Sequence, residues 1–219
     1  TFEDLINNEY IPLKNKDSID KVFEIISEDL KNTNKTKEVI IEGENVIYQI
    51  TTTESQKNYM INNDYYNISS IDLGECGKTL QSIYHIETPL IIVKADIKRD
   101  DTVSTQVEYQ VINPNNYEIL DLKYCNNEDI NIYPPVNLDQ KTLDLFKYLK
   151  AQGYDLFDSN DKFYNDICSL FNSYNDTDVI LNDRRKDFYN PNITLCEENC
   201  IYKGFNEEIL KVNCQCNQY

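Results

Sequence analysis

Apolar and polar positions follow two rhythms along this chain of 219 residues, and the changes between them mark out its parts. Residues 1–16 hold scattered apolar side chains and Pro12 without a sustained period, which reads as an extended lead-in. From Asp17 the rhythm becomes helical. Ile19, Val22, Phe23, Ile25, Ile26 and Leu30 share a face, Asp17 or Ser18 stands where a cap belongs, and Asn32 to Asn34 break the pattern. Between residues 38 and 135 short β-branched and aromatic runs alternate with turn formers. Residues 38–42 and 45–51 flank Gly43-Glu44 as a hairpin, and residues 90–97 and 103–112 flank Arg99-Asp100-Asp101 as a second. Residues 119–122 and 130–133 extend the set to about seven strands, enough for paired sheets. After Pro134-Pro135, Leu138, Leu143, Leu145, Phe146 and Leu149 predict a short helix ended by Gly153. Tyr164, Ile167, Cys168, Leu170 and Phe171 add a helical turn or so.

The fold expected is therefore mainly β. It is an antiparallel, Ig-like β-sandwich over residues 36–135, preceded by the lead-in and helix of residues 1–35. A helical connector at 136–154 and a small disulfide-rich segment at 155–219 follow it.

Cysteine placement changes this picture most. Cys76 and Cys125 stand alone, while Cys168, Cys196, Cys200, Cys214 and Cys216 crowd into the last quarter. In a reducing compartment the final four could close around zinc. In an oxidising one they form a disulfide framework, and only that reading also accounts for Cys76 and Cys125. Seven half-cystines cannot all pair within one chain, so one remains free or bonds a neighbouring module. Four sequons, at Asn34, Asn67, Asn175 and Asn192, are candidate glycan acceptors in an exported protein. With 28 Asn and 23 Ser and Thr, chance alone supplies roughly three. The chain opens at Thr1 without an export signal, as expected if the signal has been removed or the chain is an excerpt.

The balance of 21 Lys and Arg against 38 Asp and Glu gives a net charge of -17, which repels phosphate backbones and anionic headgroups. Nucleic acid and membranes are not expected partners. The longest apolar run, Leu90 to Val93, is far short of the roughly 18 residues that cross a bilayer. Asn, Ile, Lys and Asp are abundant, as AT-rich codons would dictate.

Several segments in order resemble a cysteine-rich extracellular module repeated in large uncharacterised surface proteins of AT-rich unicellular eukaryotes. They are residues 71–76, 107–111, 120–122 before Cys125, 163–168, 183–185, 195–200 and 214–216. The resemblance implies an extracellular setting, a repeating or polymerising architecture and no known catalysis. It brings no binding residues with it.

Candidate chemistry is sparse. The single histidine, His85, lies in a strand-like stretch without a second ligand nearby in sequence. No nucleophile elbow, phosphate loop or zinc-protease motif occurs, so no enzyme is expected. No cofactor is expected either. Calcium is the one ion suggested, by Asp155, Asp158, Asn160, Asp161 and Asp166 and by Asp176, Asp178 and Asp183, although Lys162 stands where a calcium loop needs oxygen. Tyr59, Tyr65, Tyr66, Tyr84 and Tyr189 are candidates for glycan contact. The leading expectation is a structural or adhesive subunit whose partners are copies of itself, with residues 2–13 reaching a neighbour as a strand or clasp. A ligand-binding ectodomain for calcium or glycan is the alternative.

Overall fold

A computed structural model describes residues 13, 17, 20–21, 38–61, 65, 67–99, 102–173, 177–190 and 193–217. Most of the helix expected over 17–30 and nearly all of the lead-in lie outside these residues. Leu13 is described, and it sits on its own chain: its N–H donates to Glu108 and its carbonyl accepts from Gln110. That contact at the end of the proposed clasp is intramolecular.

The described elements run β1 (Val39–Glu42), β2 (Val46–Thr52), α1 (Gln56–Ile61), β3 (Ser70–Asp72), α2 (Gly74–Ile83), β4 (Ile91–Ile97), β5 (Gln106–Ile112), β6 (Asp129–Tyr133), α3 (Gln140–Ala151), α4 (Lys162–Asn165), α5 (Leu181–Asp187), β7 (Cys200–Asn206) and β8 (Lys211–Asn217). The strands form two antiparallel four-stranded sheets, ordered β1-β2-β4-β5 and β3-β6-β8-β7. Both expected hairpins are present, with Val39 opposite Ile50 in one and Ile91 opposite Ile112 in the other.

Three expectations are corrected. Residues 119–122 contribute only an isolated bridge from Ile119 to Ile112, and the chain then turns through a short 3-10 helix, Leu122–Cys125. The stretch around His85 is not a strand: Ser82 and Ile83 end α2, and His85 takes a positive φ of 54° in the turn after it. The division at residues 136 and 155 does not follow the sheets, because β8 pairs with β6 and so draws the C-terminal segment into the second sheet. The signal for β8 was present as alternation. Val212, Cys214 and Cys216 are buried, whereas Asn213, Gln215 and Asn217 are not. It is legible only if cysteine counts as an apolar residue.

The first sheet is buried on both faces. Ile41, Tyr48, Ile50, Val93, Ala95 and Ile112 pack with Leu13 on one side. Ile92, Val107 and Val111 point the other way and share the main core with Ile71, Ile130, Ile132, Phe205 and Val212 of the second sheet. Within this second face lies a polar stripe, in which Gln49 and Tyr109 flank Lys94 across the strands. The Lys94 ammonium donates to the carbonyl and hydroxyl of Ser69 at 2.7 and 2.8 Å and to Asp96 at 3.1 Å. Asp96 accepts from the N–H and hydroxyl of Ser69, the residue that opens into β3. Gln56 of α1 bonds Gln49 and Thr51 and accepts from the Ile71 N–H of β3. Lys211 of β8 donates to the Tyr59 carbonyl at 2.6 Å. Polar groups thus cross from sheet to sheet inside the core.

Helices supply the remaining cover. In α2, Cys76 and Leu80 are one turn apart and both buried, and Gly74 opens the helix at φ 53° with its N–H on Asp72. Asp139 caps α3 by accepting from the N–H and hydroxyl of Thr142, and Gly153 ends the following turn at φ 82°, as its sequence position predicts. Phe146 of α3 stacks on Phe157 and meets Phe205 of β7 edge-on, which fastens the helix to the second sheet.

Two outcomes follow from the buried polar stripe. Asp96→Ala leaves a buried ammonium without its counter-ion and should lower unfolding free energy in urea by roughly 3–5 kcal/mol, with Lys94→Met added to it restoring part. A single-variant loss below about 1 kcal/mol would mean that the pair does not hold the sheets. Burial, with the Lys94 charge second, pushes Lys211 down to about 8 from its ordinary 10.5. Between those values the unfolded chain binds more protons than the folded one, so the contribution of this group to stability rises with pH. Tyr59, pushed up to about 12 mainly by burial, opposes that rise only from about pH 10 upward. Urea melts of wild type and Lys211→Met from about pH 7 to about pH 10 should show their difference growing, and a flat difference would place Lys211 at its ordinary value.

Candidate functional site

The cysteines are sorted by strand pairing. Cys76 on α2 is bonded to Cys125 at the end of the 3-10 turn, with Cα atoms 5.0 Å apart. Cys200 stands directly opposite Cys216 in the β7–β8 ladder and is bonded to it, while Cys196, just before β7, is bonded to Cys214. The C-terminal four therefore make crossed pairs between two segments instead of a four-thiolate zinc site. In a chain-entropy account, closure over 49 residues is worth about 4 kcal/mol and the closures over 18 and 16 about 3 kcal/mol each.

Cys168 is the cysteine left as a thiol, and it is exposed. Its setting is built by the residues around it. Phe171 is buried against Phe163 and Phe188, and Tyr154 donates its hydroxyl to the Leu170 carbonyl at 2.5 Å, so this stretch is anchored from below. Asp166 accepts from the Ser169 hydroxyl and the Cys168 N–H, and these bonds hold its carboxyl below the usual range. With Phe171 turned inward, Ile167 and Leu170 face outward at 78% and 73% exposure. Asn172 bridges Asp178, and the Val179 N–H donates to the Phe171 carbonyl, which pins this stretch to the lead into α5. An accessible thiol thus lies within a patch of exposed aliphatic side chains.

Several of the acidic residues suggested for calcium bond within their own turns. Asp158 accepts from the Asn160 N–H, and Asp161 caps α4 at Phe163 while also accepting from the Asp155 N–H. Asp155 accepts from the Phe157 N–H and from the Tyr202 hydroxyl at 2.9 Å. Burial, then the charges of Asp158 and Asp161, raises its carboxyl above the usual range against the pull of those bonds. Asp178 accepts from Phe171 and from Arg184, whose guanidinium also lies over the Phe163 ring. Asp183 falls in the first turn of α5, and Asp176 lies outside the described residues. Among the described residues, the one group of three metal-ligating side chains that converges is Cys76, Cys125 and Glu128, and its two sulfurs are joined to each other.

The tyrosines do not share a surface. Tyr59 and Tyr65 meet at 4.6 Å beside α1, Tyr84 packs edge-on to Tyr124, and Tyr189 packs edge-on to Tyr164. Tyr66 lies outside the described residues, as do Asn34, Asn175 and Asn192 among the sequons. Asn67 is half-buried and His85 is exposed. Tyr189 does reach a feature that linear spacing does not reveal, a cleft of about 560 Å³. The start of α3, the loop after it, the end of α5 and the approach to β7 close around this space, placing Thr142, Phe157, Tyr189, Thr194 and Tyr202 on one wall system. These residues are far apart in sequence and belong to no motif.

No helix among the described residues is long and apolar enough to cross a membrane. Under native conditions a maleimide titration should find a single reactive thiol per chain, removed by Cys168→Ser, and a second reactive thiol would mean that one of the three disulfides does not form. No family model matches this chain, and comparison with curated proteins and with solved structures gives no match.

Proposed function

We propose that this chain is an extracellular structural or adhesive module, a repeated or self-assembling subunit of a cell-surface or filamentous structure, joined to copies of itself through Cys168. One observation carries the reading. Three disulfides consume six of the seven cysteines, and the remaining thiol is exposed between Ile167 and Leu170. A protein kept among reductants has little use for three buried disulfides, and an exported one rarely leaves an exposed thiol idle. Pairing of two such thiols, each losing a proton and an electron to an oxidant such as dioxygen, would bring two aliphatic patches together and shield them from water.

In this reading the two sheets serve as an Ig-like sandwich that sets the spacing between copies, and the sequons carry N-linked glycans on its outside. Catalysis has no part in it. The net charge of -17 keeps such subunits soluble and limits association to places where covalent bonding or apolar contact overcomes repulsion. The alternative is a ligand-binding ectodomain for calcium or glycan, and the cleft that Tyr189 borders supports its glycan form.

Protein purified without reductant should run as a disulfide-linked dimer or longer species on a non-reducing gel and collapse to monomer with reductant. Cys168→Ser should give monomer with an unchanged melting profile, and Ile167→Ser with Leu170→Ser should slow linkage. A wild-type monomer that keeps its free thiol after prolonged air oxidation would sink the proposal.

A further inference from the structure

The cleft beside Tyr189 has a chemistry of its own, and it does not depend on assembly through Cys168. Its volume of about 560 Å³ falls within the range of small-ligand sites. That is room for on the order of twenty waters at about 30 Å³ each, or for one disaccharide. Aromatic rings form much of the wall, and three of them are held by a second ring. Phe157 stacks on Phe146 at 5.2 Å, Phe188 meets Phe163 edge-on at 5.5 Å, and Tyr189 meets Tyr164 at 5.7 Å. Tyr164 is fixed in turn by its hydroxyl on the Leu156 carbonyl. Tyr202 lines the cleft with its hydroxyl tethered to Asp155.

The remaining wall is rigid for a covalent reason. Cys196 and Cys200 both border the space, and their bonds to Cys214 and Cys216 fix the approach to β7 against β8. A site whose walls are already ordered loses less entropy when it binds.

Polar groups are set among these rings. Thr142, Ser159, Asn190 and Thr194 bring hydroxyls and an amide to the space, and Leu145, Leu156, Ile193 and Leu195 bring aliphatic surface. Charge narrows the class of ligand. Asp139 and Asp187 border the cleft against Lys141 alone, in a chain of net charge -17, so phosphates and acidic sugars are repelled. A purely apolar ligand would cover the Ser159 and Thr194 hydroxyls without replacing their water. The molecule that matches offers flat apolar C–H faces to the rings and hydroxyl edges to the threonines and Asn190, without negative charge. Those are the properties of a pyranose.

We propose that this cleft is a binding site for a neutral saccharide of disaccharide size. Tyr189 and Tyr202 supply the ring surfaces, and Thr142 and Thr194 supply hydrogen bonds.

Saturation-transfer NMR and calorimetry on the intact, oxidised protein test it, with cellobiose, maltose, lactose, mannobiose and N,N′-diacetylchitobiose as probes. At least one should bind, with Tyr189→Ala weakening it roughly tenfold or more and Tyr124→Ala, on a tyrosine away from the cleft, leaving it unchanged. Thr194→Phe, which puts a large side chain at the wall of the cleft, should also abolish binding, so the result does not hang on the folding of one variant. Cys168→Ser should bind as wild type does, which separates this site from assembly. Silence across the panel overturns the proposal, as does binding that survives both Tyr189→Ala and Thr194→Phe.

Discussion

The contact between Lys94, Asp96 and Ser69 is the constraint on which the arrangement of the sheets depends. A charged pair at 0% and 1% side-chain exposure is costly to bury, and it is tolerated because its hydrogen-bonding capacity is met. Its effect on the fold comes from geometry. The first sheet is apolar on both faces, so its hydrophobic pattern alone would permit a slip by one residue. Such a slip would carry Lys94 and Asp96 into the cluster of Tyr48, Ile50 and Val93 and away from Ser69, which now satisfies both. The pair therefore sets which face of β4 meets the second sheet. Ser69, leading into β3, is the point at which that choice reaches the second sheet.

From there the order of the C-terminal half follows. The second sheet contains only short β3 and β6 before residue 200, and it is completed by β8 and β7. Cys200 and Cys216 face each other because the ladder puts them there, and their bond then holds the ladder. Lys211, which begins β8, sends its ammonium to Tyr59 near α1 and so closes a second polar link across the core. The aromatic residues that would suit a binding surface are largely consumed in packing. Phe146, Phe157 and Phe205 contact one another between α3 and β7, and Phe163, Phe171 and Phe188 form a second group between α4 and the end of α5. Two surface features are by-products of this packing. Phe171 turned inward leaves Ile167, Cys168 and Leu170 outside, and the rings of Phe157 and Phe188 leave a space between α3 and α5 that Tyr189 borders.

These features serve different ends. The patch around Cys168 is apolar, exposed and reactive, which suits contact with a surface like itself. The cleft is polar and apolar by turns and fixed by disulfides, which suits a small ligand. The net charge of -17 works against association with other acidic surfaces.

The amino-acid sequence by itself determined the β-rich class, both N-terminal hairpins, α3 with its Gly153 stop, and the necessity of an unpaired cysteine. Each of these is a local property: period, turn chemistry, capping or arithmetic. Tertiary structure decided the rest. The identity of the unpaired cysteine, the entry of residues 200–217 into the second sheet, the turn at His85 and the cleft all depend on which distant segments meet. Alternation in β8 was hidden because half of its inward positions are cysteines, whose role as cross-links obscured their role as apolar residues. Asp155, Asp158 and Asp161, which looked like ligands in a row, each accept from the backbone N–H two residues on, since a carboxylate beside a free backbone N–H bonds locally.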